Sequence, residues 1–395
     1  MNRVELLAPA GNLEKLKIAL LYGADAVYVG GRDYSLRANA KNLSIDEIKE
    51  ACEYAHSLCK KVYITVNIVF HNEDTLGLVD YLKKLEECGV DAIIVSDPLV
   101  INIVHDNEIN IPIHISTQYS SVNYEVVNFW KSMGVERVVL GRETSKDEIK
   151  EIIDRTGMEI ETFVHGAMCA SYSGRCVLSN YFTNRDANRG GCAQICRWDF
   201  DLLKDSKKID NKTKFTMCSK DLCMLKYLPD MIDIGICSLK VEGRMRSIYY
   251  IATVINTYRR AIDDYYNGVL TDKKMEYYLS ILNKVANRDS CAQFFDKFPT
   301  VDEQYFLGRE EISNQDFLGI VDSYDGEYVS IISKNYFKPG DKVEIISPNR
   351  DTISLVIPKI YDIDGNELDA SRHPEKIIRF KLDKEVDKFD MMRIV

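Results

Sequence analysis

The stretch Val62-Tyr63-Ile64-Thr65-Val66-Asn67 is a β-branched run that stops on a polar residue, and Ala92-Ile93-Ile94-Val95-Ser96 is a second one. Between them, residues 75–88 form an amphipathic segment of helical period, closed by Gly89. This is one strand–helix–strand unit, and the first 165 residues repeat it. Further runs lie at residues 4–8, 26–30, 113–117, 137–141 and 159–165, separated by helical patterns at 12–22, 45–58, 124–133 and 146–155. Asn12, Ser44 and Ser145 stand where a helix N-cap is needed, and Gly23, Gly89, Gly134 and Gly157 sit just past helix ends, where a left-handed cap suits glycine. An eighth strand, 237–241, follows an insertion over about 166–236, and 248–266 supplies a last helix. No run reads as an edge strand and no glycine fingerprint marks a switch point. The pattern therefore predicts an α/β fold, a (β/α)8 TIM-like barrel over residues 1–290 with a cysteine-rich insertion between strands 7 and 8.

The chain has 395 residues, 46% of them apolar and 28% charged, which is a globular composition with ample core. No apolar run approaches the roughly 20 residues that span a bilayer, and the N-terminus lacks a basic flank leading into an apolar stretch. A cytoplasmic protein without a membrane role is expected. Residues 291–312 read as a connecting segment and 313–395 as a small antiparallel β-barrel, with short strands divided by Asp325-Gly326, Pro339-Gly340-Asp341 and Asp364-Gly365-Asn366. The run 338–345 looks like the barrel module of translation factors; a packing module without a ligand is the plainer alternative.

In such a barrel the chemistry gathers at the C-terminal ends of the strands, and these ends are polar. Asn67, Ser96, Asp97, His114, Ser116, Thr117, Gln118, Arg142, Glu143, His165, Glu242 and Arg244 are all placed there. His114 and His165 are candidate general bases or substrate donors, although a strand-end histidine is often only a hydrogen-bonded core residue. Arg142 and Arg244 suit bidentate binding of a small carboxylate, unless they pair with Glu143 and Glu242 next door. No His-Glu-x-x-His helix, Gly-x-Ser-x-Gly elbow or phosphate-binding P-loop is present.

Eleven cysteines, an odd number in a chain without an export signal, argue against a disulfide framework. Seven lie in the middle of the chain. Cys169, Cys176, Cys192 and Cys196 are spaced C-x6-C-x15-C-x3-C, unlike the C-x2-C knuckles of structural zinc sites. Four thiols in irregular, glycine-bearing loops suit an iron–sulfur cluster, with Arg175, Arg189 and Arg197 to offset its charge; four small buried hydrophobes are the alternative. From His165 to Arg260 there are 16 Lys plus Arg against 9 Asp plus Glu, a balance of +7 within a chain of −10. With Tyr181, Phe182, Trp198 and Phe200 among the arginines, this is a candidate face for RNA. Lys204, Lys207, Lys208, Lys212 and Lys214 are better read as solvating a loop.

Together these residues resemble the collagenase-like peptidase family, peptidase U32. The resemblance rests on Glu161-x-Phe163-x-x-Gly166-Ala167-Met168-Cys169, Ser173-Gly174-Arg175-Cys176, Asn188-Arg189-Gly190-x-Cys192-x-Gln194-x-Cys196-Arg197, Ser219-Lys220-Asp221-Leu222-Cys223 and Lys240-Val241-Glu242-Gly243-Arg244. Leu6-Leu7-Ala8-Pro9-Ala10-Gly11 and His114-Ile115-Ser116-Thr117-Gln118 fit as well, so it spans the barrel. Members of this family are similar to oxygen-independent hydroxylation proteins that carry a 4Fe-4S cluster and act on a tRNA wobble uridine, a ribosomal RNA cytidine or the ubiquinone ring. The long chain with its C-x3-C pair and C-terminal barrel is most similar to the tRNA 5-hydroxyuridine proteins, which implies a tRNA partner, prephenate as small carboxylate co-substrate, and room for a second family member as protein partner. The resemblance implies Cys169, Cys176, Cys192 and Cys196 as cluster ligands, with Cys223 as the alternative fourth. Glu161 joins His114 and His165 as a catalytic candidate, Gln118 and Lys240 stand beside Arg142 and Arg244 for co-substrate, and Arg175, Arg189, Arg197 and Trp198 are the candidates for RNA. The alternatives are a peptidase, or a non-catalytic RNA-binding or assembly protein whose cluster is structural.

Overall fold

The computed structural model describes residues 3–36, 41–209, 215–285, 288–311, 316–348 and 350–395, so Lys212 and Lys214 lie outside the described residues. Eight parallel strands form the barrel: β1 Glu5–Pro9, β2 Ala26–Gly30, β3 Lys61–Val66, β4 Ala92–Val95, β5 Ile113–Ile115, β6 Arg137–Val139, β7 Glu159–Gly166 and β8 Ser238–Val241. They pair in chain order, and β8 pairs with both β7 and β1, at Ser238↔Glu161 and Glu5↔Ser238, which closes the ring. The helices outside it are α1 Leu13–Leu21, α2 Ile45–Ser57, α3 Leu78–Glu87, α4 Pro98–Asp106, α5 Tyr124–Ser132 and α6 Lys146–Thr156; α7 Leu178–Thr183 and α8 Leu228–Asp233 belong to the insertion, and α9 Ile248–Tyr266 and α10 Asp272–Asn283 follow β8. The caps fall where the sequence places them. Asn12 accepts from the Lys15 amide, and Ser44 and Ser145 form reciprocal boxes with Glu47 and Glu148.

Alternation along the strands separates two environments. Leu6, Val27, Val29, Val62, Ile64, Ile93, Val95 and Val138 join the large core under the helices. The lumen holds a small apolar group of Leu7, Ala26, Tyr28, Tyr63, Ala92 and Ile94, together with charged side chains described below. The insertion adds a strand, Asp221–Cys223, which runs antiparallel to β7 and carries Ser290–Cys291 on its far edge.

The C-terminal unit is one antiparallel sheet of β9 Phe317–Tyr324, β10 Tyr328–Ser333, β11 Lys342–Ile346, β12 Ile353–Val356, β13 Ile360–Tyr361, β14 Glu367–Leu368, β15 Ile377–Lys381 and β16 Met391–Ile394. Its order, β12-β11-β16-β9-β10-β15-β13-β14, leaves the end strands unpaired with one another, so it is a half-barrel. The sheet encloses its own core of Leu318, Val329, Ile331, Phe337, Val343, Phe380 and Met392. It is fixed to the barrel by Tyr22, which donates to the Phe389 carbonyl at 2.8 Å, by Arg260 to the Arg350 carbonyl at 2.9 Å, and by Tyr249 stacked on Phe317 at 4.7 Å.

Candidate functional site

The cysteine insertion lies over the C-terminal mouth of the barrel. Gly174, at φ +71°, sits so close to the Gln118 carbonyl that a Cβ would fall 1.8 Å from the oxygen; only glycine allows this approach. Beside it Ser120 donates to the Ser173 carbonyl, and Thr117 Oγ1 donates to Ser173 Oγ at 3.4 Å. On the β3 side, the Val69 amide donates to the Asn188 carbonyl at 3.1 Å. Arg189 Nη2 meets Asp74 at 2.9 Å and its Nη1 donates to the Val69 carbonyl at 2.7 Å. The guanidinium pulls the Asp74 carboxyl down to about 2. Arg189 is thus a tether between insertion and barrel, and that pairing occupies the charge the sequence assigns to RNA.

Of the four expected ligands, Cys169 and Cys192 are exposed and Cys176 and Cys196 half-buried. Burial pushes the Cys196 thiol up to about 11, and Cys169, Cys218 and Cys192, as negative neighbours, add to the rise against Arg197. Those thiols therefore share one electrostatic neighbourhood. Cys176 stands by Asn188, whose side chain donates to its carbonyl at 3.1 Å. Cys223 is elsewhere: its thiol packs with Tyr258 and Ser290, beside Cys291. Among the described residues no three His, Cys, Asp or Glu side chains converge as a metal cage. The donor chemistry nevertheless fits an iron–sulfur group, because a cation that takes up thiolate charge relieves the burial and mutual repulsion that hold Cys196 protonated.

The two mouth arginines differ. Arg244 is buried, and its Nη1 donates to the Leu36 carbonyl at 2.9 Å and Ser35 Oγ at 3.2 Å while Nη2 donates to Asn42 at 2.6 Å. It props the loop after β2 against the β8 end. Asn67 extends this polar floor by donating to Ser116 at 3.2 Å, and the Gln118 amide also donates to Ser116, at 3.2 Å. Arg142 is half-buried with its guanidinium 3.8 Å above the Phe163 ring; it makes no hydrogen bond to a described residue and no ion pair with one within 4 Å, although its charge acts on the neighbouring Glu143. Next to it, Glu143 has a buried Oε2 without a partner among the described residues, and burial holds its carboxyl above the usual range.

Glu161 and Lys240 lie within the barrel. Lys240 Nζ meets Glu161 at 2.8 Å, and Arg137 Nη1 reaches Glu161 at 3.3 Å and Glu5 at 2.6 Å. Tyr63 donates to Glu5 at 2.7 Å, and Ser238 does so at 2.8 Å. The cations hold the Glu161 carboxyl below its usual range despite full burial. Glu5, Arg137 and Glu159 open their strands, so the network occupies the N-terminal half of the lumen, where barrels place stability rather than chemistry.

Neither histidine stands free in the mouth. His114 is mid-strand in β5, edge-on to Tyr63 at 4.9 Å, and burial, with Arg137 nearby, pulls it down to about 3. His165 packs against Tyr258 and Tyr250 of α9, and burial lowers it to about 3 as well. For His114 the folded value lies below the unfolded one, so neutral burial costs nothing above pH ~6.5 and destabilises progressively below it. A His114→Phe variant is expected to lose about 1.4 kcal/mol per pH unit less than wild type between pH 6 and 4. Urea unfolding across that range checks this, and parallel curves would refute it.

Trp198 is half-buried, 6.3 Å from the Phe182 ring, with Arg309 5.5 Å over its face. Arg197 is half-buried and donates to Gln194 Oε1 at 3.2 Å, whereas Arg175 is exposed. The sequence carries no signal for Asp74 or Arg309, because each acts through a partner more than 100 residues away.

Comparison with known proteins gives the same outline. The profile of peptidase family U32 matches residues 11–305, and that of its C-terminal domain matches 313–393. The chain is 49% identical to tRNA hydroxylation protein P1 of Bacillus subtilis, covering 99% of this chain and 95% of that one. It is 36% identical to the 23S rRNA 5-hydroxycytidine C2501 synthase of Escherichia coli over 66% of this chain and 40% of that one, and 35% identical to a collagenase of Porphyromonas gingivalis over 73% and 72%.

Proposed function

Because the chain belongs to peptidase family U32, and is similar along almost its whole length to a tRNA hydroxylation protein, we propose that it is an enzyme that hydroxylates tRNA, forming 5-hydroxyuridine at the wobble position without oxygen. That end-to-end similarity carries the reading. A peptidase reading has less support, since His114 and His165 are both buried against aromatic rings with their pKa values lowered by that burial, which leaves no evident base for a nucleophile.

In this reading the wobble uridine, already in a single-stranded loop, enters the mouth from the insertion side. Arg142, stacked on Phe163 and without a carboxylate partner among the described residues, holds a carboxylate of a small co-substrate such as prephenate. Glu143, its carboxyl raised by burial, stands beside that site with Oε2 unbonded to any described residue. Arg244 fixes the β2 loop that walls the mouth. Cys169, Cys176, Cys192 and Cys196 would hold the 4Fe-4S cluster, which supplies one-electron chemistry when bound.

Mass spectrometry of nucleosides from tRNA of a deletion strain tests the function. The 5-hydroxyuridine family of nucleosides should vanish and return with the gene; an unchanged profile would end the proposal. Arg142→Ala should raise the co-substrate KM at least about tenfold with kcat little changed, the loss of one charge-assisted contact, and Arg142→Lys should recover part of it. An unaltered KM would remove the clamp.

A further inference from the structure

The sequence presents residues 291–312 as a plain connection between domains, yet its last described part is built into the cysteine loop. The Lys220 amide donates to the Glu303 carbonyl at 2.9 Å, the Tyr305 amide to the Cys218 carbonyl at 2.8 Å, and Gln304 to the Thr216 carbonyl. Gly308, at φ +60°, lies where a Cβ would stand 2.9 Å from the Arg197 carbonyl. Arg309 donates to the Ala193 carbonyl at 3.3 Å, inside the C-x3-C pair, and lies over Trp198. This docking leaves large apolar side chains in water: Tyr181 is 84% exposed, Phe182 54% and Phe306 49%. Exposed rings of this size at a paired, ordered surface mark a binding face. Arg309 joins them through Trp198, whose ring lies 6.3 Å from Phe182, and Arg175, Arg185 and Arg309 are all exposed and without an ion pair to any described residue. Exposed rings on a surface that also carries guanidinium groups without carboxylate partners among the described residues suit single-stranded RNA, whose bases stack and whose phosphates need cations; a protein partner would leave those charges unmatched.

Building on the tRNA reading, we infer that the connecting segment is the second wall of the RNA site, with Phe306 and Arg309 facing the anticodon loop opposite the insertion's Tyr181 and Phe182. The test uses full-length protein prepared anaerobically and a fluorescent anticodon stem-loop RNA with uridine at the wobble position. Phe306→Ala and Arg309→Ala should each weaken binding about tenfold with iron content unchanged, and Phe306→Ala should leave the melting temperature unchanged as well. Arg309→Ala should also lower the slope of log affinity against log salt by about one, and Arg309→Lys should restore that slope. If wild type binds the RNA and both variants bind equally well, the connecting segment is no part of the site and the inference falls. If wild type itself fails to bind, the tRNA reading falls, and this inference with it.

Discussion

Replacing Arg137 with methionine is expected to destabilise the fold by about 3–5 kcal/mol, the cost of breaking a buried ion pair from one side. Arg137 meets Glu5 at 2.6 Å, Glu159 at 2.8 Å and Glu161 at 3.3 Å, and only Lys240 remains to offset Glu161 once it is gone. The Glu161 side chain has no exposed surface, so water cannot take over. Its carboxyl is held low by Lys240 and Arg137, so the network stabilises the fold above the ordinary carboxylate range, and that contribution is lost as pH falls through the lowered folded value. In Arg137→Met the Glu161 value rises, and acid unfolding should begin at a higher pH. Adding Glu5→Gln to Arg137→Met should recover part of the loss, because among the described residues Glu5 is then left with only the Tyr63 and Ser238 hydroxyls, whereas Glu161 keeps Lys240. Urea unfolding of wild type, single and double variants measures both effects. A single variant within about 1 kcal/mol of wild type would show that the lumen admits enough water to screen the network.

The barrel was legible because every unit repeats a β-branched run and an amphipathic helix, and caps such as Ser44 and Ser145 keep their local meaning wherever the unit is placed. The lumen was legible only in part. Glu5, Arg137, Glu161 and Lys240 interrupt otherwise apolar strands, a period-two signal that they share one side, but which side cannot be read before the ring closes. Hence Lys240 reads as a co-substrate ligand, Glu161 as a catalytic candidate and His114 as a strand end, whereas the fold buries all three. β16 has no local signature, because no turn motif of the kind that divides the other strands flanks Met391-Met392-Arg393-Ile394; its place is set by β9 and β11 on either side. The part of Arg189 was illegible for another reason: its charge is visible in the sequence, but its partner Asp74 is 115 residues away. Charge counting over the insertion therefore overstated what is free for RNA.

Changing Cys169, Cys176, Cys192 or Cys196 singly to serine is expected to remove the protein's iron and to abolish 5-hydroxyuridine in a complemented deletion strain. The loss should exceed the 10–100-fold or so that follows from disturbing an outer-shell partner, since a ligand itself is gone. Cys223→Ser should keep both iron and activity. Its thiol is occupied with Tyr258 and Ser290, on a strand paired to β7, and serine can take over those polar contacts. Cys196, by contrast, is linked electrostatically to Cys169 and Cys192, so that thiolates there need a cation to coexist. Iron and sulfide analysis on anaerobically prepared variants separates the outcomes independently of activity. Iron lost from Cys223→Ser but retained by Cys196→Ser would move the fourth ligand to the strand beside β7. Full iron in all four variants would leave these cysteines without a metal role and the hydroxylation proposal without its redox centre.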